Sequence, residues 1–293
     1  MTNTMFTGTG IAMVTPFNED FSIDYSGLEK LTNHLIEGGV DYLVIMGTTG
    51  ESATISKEDK LSVLSFVQKV NAGRVPIVYG LGGNNTTVVA EEMNAMDISG
   101  IDAFLSVSPY YNKPTQEGIY RHYAHLSAVS PLPIILYNVP GRTGSNMTAE
   151  TTLRLANDFD NIIAIKEASG NMEQVMQIIN ERPDGFLVIS GEDNLTFPLL
   201  CLGGDGVISV SGQAYPTIFS QMVRDARQGK LNPARKAHFK LFPFTQMLFA
   251  EGNPGGIKAA LKELGVCEAH MRLPLYPIGS KTRDALINTM HQI

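Results

Sequence analysis

The sequence predicts an α/β fold: a (β/α)8 barrel of the TIM type with a C-terminal helical extension. Three observations carry this. Short apolar or β-branched runs recur at intervals of roughly 25–35 residues. An amphipathic, helix-like stretch follows each run. Eight such units are enough to close a parallel sheet on itself.

The strand-like runs fall at residues 11–17, 42–47, 76–81, 103–109, 133–140, 162–169, 186–193 and 206–212. Between the first two, Leu28, Leu31, Leu35 and Ile36 make one apolar face; after the second, Leu61, Leu64 and Val67 make another. Start signals precede several helices: Ser56 stands three residues before Asp59, and Thr115 and Thr148 precede their segments. An open doubly wound sheet would want G-x-G-x-x-G after its first strand, and none is there. Gly80-Leu81-Gly82-Gly83-Asn84 reads instead as a tight strand-end turn. Beyond about Gln228 the strand signal stops, and residues 231–251, 256–264 and 281–293 read as helices broken by prolines. The expected division is a catalytic barrel over 1–228 and a helical domain over 229–293.

The 293 residues, 43% hydrophobic and 17% charged, can bury a large core. A net charge of −7 without a block of like charges argues against nucleic acid and anionic membranes as partners. No 18-residue apolar run occurs and the first residues lack a basic-then-apolar pattern, so neither a membrane span nor a signal peptide is expected. Cys201 and Cys267 sit in apolar settings and are expected to be buried free thiols of a cytoplasmic protein. His122 and His125 share a helical spacing without a third ligand, so no metal site is expected.

In a barrel the active site lies at the C-terminal ends of the strands. Lys166 closes the sixth run, the most apolar of all, Ile162-Ile163-Ala164-Ile165-Lys166. Burial disfavours the ammonium form, so an amine held there becomes nucleophilic, as Schiff-base chemistry on a carbonyl requires. The alternative is a lysine whose stem packs inward while its charge pairs with an acid or reaches solvent. The second run ends in Gly47-Thr48-Thr49-Gly50-Glu51, a plain turn or a set of hydroxyls and N–H groups that grips a carboxylate. Tyr137 ends the fifth run as a core aromatic or a proton shuttle; Arg142, in the loop beyond it, is a solvated charge or a bidentate carboxylate clamp. Ser108-Pro109-Tyr110-Tyr111, Gly191-Glu192-Asp193 and Gly206-Val207-Ile208-Ser209 complete the expected mouth.

Together, Gly47-Thr48-Thr49-Gly50-Glu51, Tyr137-Asn138-Val139-Pro140 and Ile165-Lys166-Glu167-Ala168 resemble the 4-hydroxy-tetrahydrodipicolinate (dihydrodipicolinate) synthases, among the pyruvate-dependent class I aldolases and lyases. The resemblance runs from Gly10 to Leu275. It implies that Lys166 forms a Schiff base with pyruvate, and that Thr48, Tyr111 and Tyr137 relay protons, Tyr111 being lent by a neighbouring subunit. It places Thr49, with Thr48, on the pyruvate carboxylate, near the Ile208 backbone and Gly191, and Arg142 on the carboxylate of L-aspartate 4-semialdehyde. It further implies a homotetramer of tight dimers acting in lysine and diaminopimelate biosynthesis, without an organic cofactor or metal. The sialic acid lyases and sugar-acid aldolases of the same family are the alternative, and a catalytically dead barrel sensing a keto acid is the third reading. Feedback-inhibited members match at Ser52, Ala53, Asn84 and Tyr110 but carry glutamate where Val88 stands and often histidine where Lys57 stands. Weak inhibition by L-lysine is therefore expected.

Overall fold

The computed structural model describes residues 4–293. Its strands are β1 (Gly8–Ala12), β2 (Tyr42–Ile45), β3 (Ile77–Gly80), β4 (Ala103–Val107), β5 (Ile134–Asn138), β6 (Ile162–Glu167), β7 (Leu187–Ser190) and β8 (Gly206–Ser209). They form a closed parallel barrel in sequence order, sealed where Thr9 of β1 lies opposite Val207 of β8.

Seven strands lie within the runs marked out by the sequence. The first does not: β1 begins at Gly8, and residues 13–17 leave the sheet. Glycine hides this strand. A Cβ on Gly10 would stand 2.2 Å from the Tyr42 ring, and one on Gly206 would stand 2.3 Å from the Gly8 carbonyl, so backbone and ring pack where an apolar side chain would have signalled a strand. The following segment is held by other means. The Val14 N–H donates to Gln213 Oε1 (2.9 Å), Pro16 has no N–H, and Phe17 makes only an isolated antiparallel bridge with Ile23.

The helices are α1 (Tyr25–Glu37), α2 (Lys57–Asn71), α3 (Thr86–Ala95), α4 (Gln116–Val129), the short α5 (Pro140–Thr143), α6 (Ala149–Asp158), α7 (Met172–Glu181), α8 (Thr196–Cys201), α9 (Pro216–Arg227), α10 (Leu231–Leu248), α11 (Gly255–Glu263) and α12 (Ser280–Met290). The expected caps form: Ser56 accepts from Asp59 N–H (3.1 Å), Thr115 from Gly118 N–H (3.2 Å) and Thr148 from Thr151 N–H (3.3 Å). One apolar layer fills the barrel, with Phe6, Tyr42, Val44, Val78, Leu105, Ile135 and Ile189 among its members. A second lies between strands and helices, and Leu248, Ile257, Leu261 and Leu286 carry it into the C-terminal helices. Among the described residues no helix is long and apolar enough to cross a membrane.

Cys267 is buried, but Cys201 is exposed, against expectation. It ends α8, whose inward side is already taken by Leu199 and Leu200. His122 turns inward, its Nδ1 2.8 Å from the Thr86 hydroxyl, while His125 is exposed. Burial pushes the His122 imidazole down to about 4, with His125 adding to the effect.

Candidate active site

Lys166, the last residue but one of β6, lies on the same side as Ala164, facing into the barrel, whereas Ile165 packs outward against the helices. It is buried to 5% exposure, with Tyr137 opposite it on β5 and Ile189 opposite it on β7. Its Nζ stands 4.3 Å from the Tyr137 ring centroid. Among the described residues Lys166 makes no ion pair, and neither its amine nor the Tyr137 hydroxyl makes a hydrogen bond. Gly191, at the end of β7, leaves the lysine its room: a Cβ there would come within 2.6 Å of Ala168 Cβ and 3.1 Å of Lys166 Cε.

Thr48 and Thr49 open a single 3-10 turn directly after β2. Thr49 is buried, and its hydroxyl accepts from Asn253 Nδ2 (2.9 Å). Thr15 Oγ1 donates to the Gly50 carbonyl (2.7 Å) and pins the turn from below. Glu51 follows in the left-handed region, φ 57°, and sends its carboxylate inward to Lys258 Nζ (2.5 Å). Ile208 is buried on β8.

Arg142 lies in α5, a turn closed by Gly144 at φ 70°, and is exposed at the rim. Glu192 stands at the same rim. The protein crowding its carboxyl, helped by Asp193, raises its pKa, and the charges of Lys166 and Arg142 pull the other way. Lys166, Arg142 and Glu192 thus share one electrostatic neighbourhood. Tyr111 is set apart. Its backbone is left-handed, φ 70°, and its ring is 89% exposed, so it packs against nothing within the single chain.

A cavity of about 390 Å³ reaches the mouth at Thr48, Val107 and Tyr137 and runs beside Gly80 and Gly82 to Ser52, Lys57, Lys60 and Glu92. Behind the mouth lies a buried polar network that sequence reasoning missed. Asn138 Nδ2 and Gln174 Nε2 (2.9 Å) both donate to the Glu167 carboxylate, which also accepts from Ser169 N–H (2.7 Å). Asn146 Nδ2 donates to Gln174 Oε1 (2.9 Å), and Met147 N–H donates to Asn138 Oδ1 (3.0 Å). Asn138 follows Tyr137 and Glu167 follows Lys166, so this network fixes the two strand ends and the loop that carries Arg142. Asn138 and Glu167 stood in the sequence motifs, but Gln174 and Asn146 gave no local signal.

The model of the dihydrodipicolinate synthetase family matches residues 5–293. The chain belongs to this family. Among curated members it is 52% identical to the 4-hydroxy-tetrahydrodipicolinate synthase of Flavobacterium psychrophilum, over 96% of each chain. The dihydrodipicolinate synthase structure of Thermotoga maritima superposes with a TM-score of 0.96 at 40% identity, covering 98% of each chain. That of Acinetobacter baumannii, complexed with pyruvate, gives 0.95 at 38% identity over 98% of each. Family membership thus accounts for the fold as well as for the three motifs that meet at the mouth.

Proposed function

We propose that the chain is a 4-hydroxy-tetrahydrodipicolinate synthase, a lyase of the class I aldolase type that joins pyruvate to L-aspartate 4-semialdehyde. The observation that carries the chemistry is Lys166, buried without a carboxylate partner, its amine over the Tyr137 ring. The amine adds to the pyruvate keto carbon and water leaves, giving an imine that withdraws electrons from the neighbouring methyl group. Loss of a methyl proton gives the enamine, whose carbon attacks the aldehyde of the second substrate. Tyr137 returns a proton to the new alkoxide. The semialdehyde's own amine then closes on the imine carbon, and Lys166 is released. The lysine supplies the electron sink, so the reaction needs no other cofactor.

Thr48 and Thr49 hold the pyruvate carboxylate beside the Ile208 backbone and Gly191, and Arg142 at the rim receives the carboxylate of the semialdehyde as a bidentate pair. Tyr111, exposed and held at a positive φ, is shaped to complete the relay in a neighbouring copy, consistent with a homotetramer of tight dimers in the cytoplasm. Incubation with pyruvate followed by borohydride reduction tests this reading. It gives a mass adduct on the Lys166 peptide, and an unmodified peptide overturns it. An Arg142→Ala variant keeps that trapping but raises KM for the semialdehyde at least about tenfold. Unchanged kinetics would move the assignment to a sugar-acid aldolase of the same family. Inhibition by L-lysine is weak, because Val88 offers no acceptor to an ammonium and Lys57 in the adjoining cavity repels it. Initial rates halved by sub-millimolar lysine would refute that.

A further inference from the structure

The C-terminal helices do more than cover the barrel. Lys258 of α11 is fully buried, donates to Glu51 Oε1 (2.5 Å) and to the His270 carbonyl (2.7 Å), and lies 4.2 Å from the Phe17 ring centroid. The Arg272 N–H donates to the other Glu51 oxygen (3.1 Å). Glu51 directly ends the Thr48–Gly50 turn, in a left-handed conformation that favours glycine and that these contacts hold in place. Ahead of α11, Asn253 donates from Nδ2 to the Thr49 hydroxyl (2.9 Å). A hydroxyl that accepts from an amide has its own proton left to give. The extension therefore fixes the place of the turn through Glu51 and the direction of its hydroxyl through Asn253.

We infer that Asn253 is a positioning residue for pyruvate: by donating to Thr49 it turns the Thr49 O–H toward the substrate carboxylate, with the buried Lys258–Glu51 pair as the anchor of the turn. The inference rests on the reading of Thr49 as a carboxylate-binding residue. Asn253 is half-buried and bonds outside the apolar layers, so its replacement leaves the core intact.

The test compares Asn253→Ala, the near-isosteric Asn253→Asp, Thr49→Val and the Thr49→Val/Asn253→Ala pair in the full chain. Each is assayed for the pyruvate concentration giving half-maximal borohydride trapping, for both KM values and for the unfolding midpoint. Asn253→Ala is expected to raise the trapping concentration and KM for pyruvate about tenfold, the effect of one hydrogen bond to a charged group. The semialdehyde KM and the unfolding midpoint stay at wild-type values. Asn253→Asp raises the pyruvate values further, since its carboxylate accepts the Thr49 proton and repels the substrate. The pair adds nothing to Thr49→Val alone. Wild-type pyruvate values in both Asn253 variants overturn the inference, as does an equal rise of both KM values with a lowered midpoint. A silent Thr49→Val beside an impaired Asn253→Ala overturns instead the reading of Thr49.

Discussion

Two lysines are buried among the described residues, and they differ in their partners. Lys166 in the barrel mouth is 5% exposed and Lys258 in the C-terminal extension is not exposed at all. Both place the ammonium over an aromatic ring, at 4.3 Å from Tyr137 and 4.2 Å from Phe17. Lys258 also has a carboxylate and a carbonyl as hydrogen-bond partners, whereas among the described residues Lys166 has neither. Burial draws the Lys258 pKa below its ordinary value, and the Glu51 carboxylate offsets part of that shift. Burial and an aromatic neighbour are therefore common to both lysines. What sets apart Lys166, the lysine proposed to form the imine, is the missing carboxylate.

Substitutions can break this contrast from both sides. The largest effect belongs to Lys166→Met, which lowers turnover roughly 10⁴-fold or more and abolishes pyruvate trapping. The unfolding midpoint is not lowered, because no ion pair is lost. Lys258→Met does the reverse: it strands the Glu51 carboxylate in the core and costs about 3–5 kcal/mol of stability in urea unfolding, while the adduct on Lys166 still forms. Adding Glu51→Gln to Lys258→Met recovers part of that loss. If Lys258→Met proves neutral in stability, the pairing is not what sets the two lysines apart.

A third buried base sharpens the point. Among the described residues His122 has no carboxylate partner and its Nε2 makes no hydrogen bond, so the fold holds it neutral. Its folded value of about 4 lies below the ordinary 6.5. Between these two pH values the unfolded chain takes up a proton that the folded chain refuses. Stability is therefore complete above about pH 6.5 and falls as pH drops toward 4, by about 3 kcal/mol from this group. Urea unfolding of wild type and His122→Gln at both ends of that window isolates the contribution; identical pH slopes would refute it. A smaller effect is expected from Gly191→Ala, whose new methyl would stand 2.6 Å from Ala168 Cβ and 3.1 Å from Lys166 Cε. Making room for it costs about 1–3 kcal/mol of stability, and pushing the lysine aside lowers turnover about tenfold, seen as slower single-turnover imine formation.

Much of this was legible in the sequence because a buried parallel strand is written locally, as an apolar run that ends in polar residues. The runs that end in Thr48, Tyr137 and Lys166 needed only the barrel rule to bring them to one mouth. Where glycines make a strand by close backbone approach, as in β1, the run vanished and the strand was placed too late. The contacts of Glu51 with Lys258 and of Thr49 with Asn253 span 207 and 204 residues, a separation over which no local pattern carries information. Gln174 and Asn146 were missed likewise, because an uncharged amide looks the same in a core network as on a surface. Tyr111 is exposed in the single chain, and its proposed role came from resemblance rather than from local chemistry.

The span between Glu51 and Lys258 also has a consequence in time. A ribosome releases the turn that bears Thr48 and Thr49 early, but its anchor is among the last parts of the chain to emerge. Until β8 pairs with β1 the barrel is open, and until α11 arrives the Glu51 carboxylate has no counter-charge to bury against. A nascent chain therefore contains Lys166 well before the turn that bears Thr48 and Thr49 can be anchored.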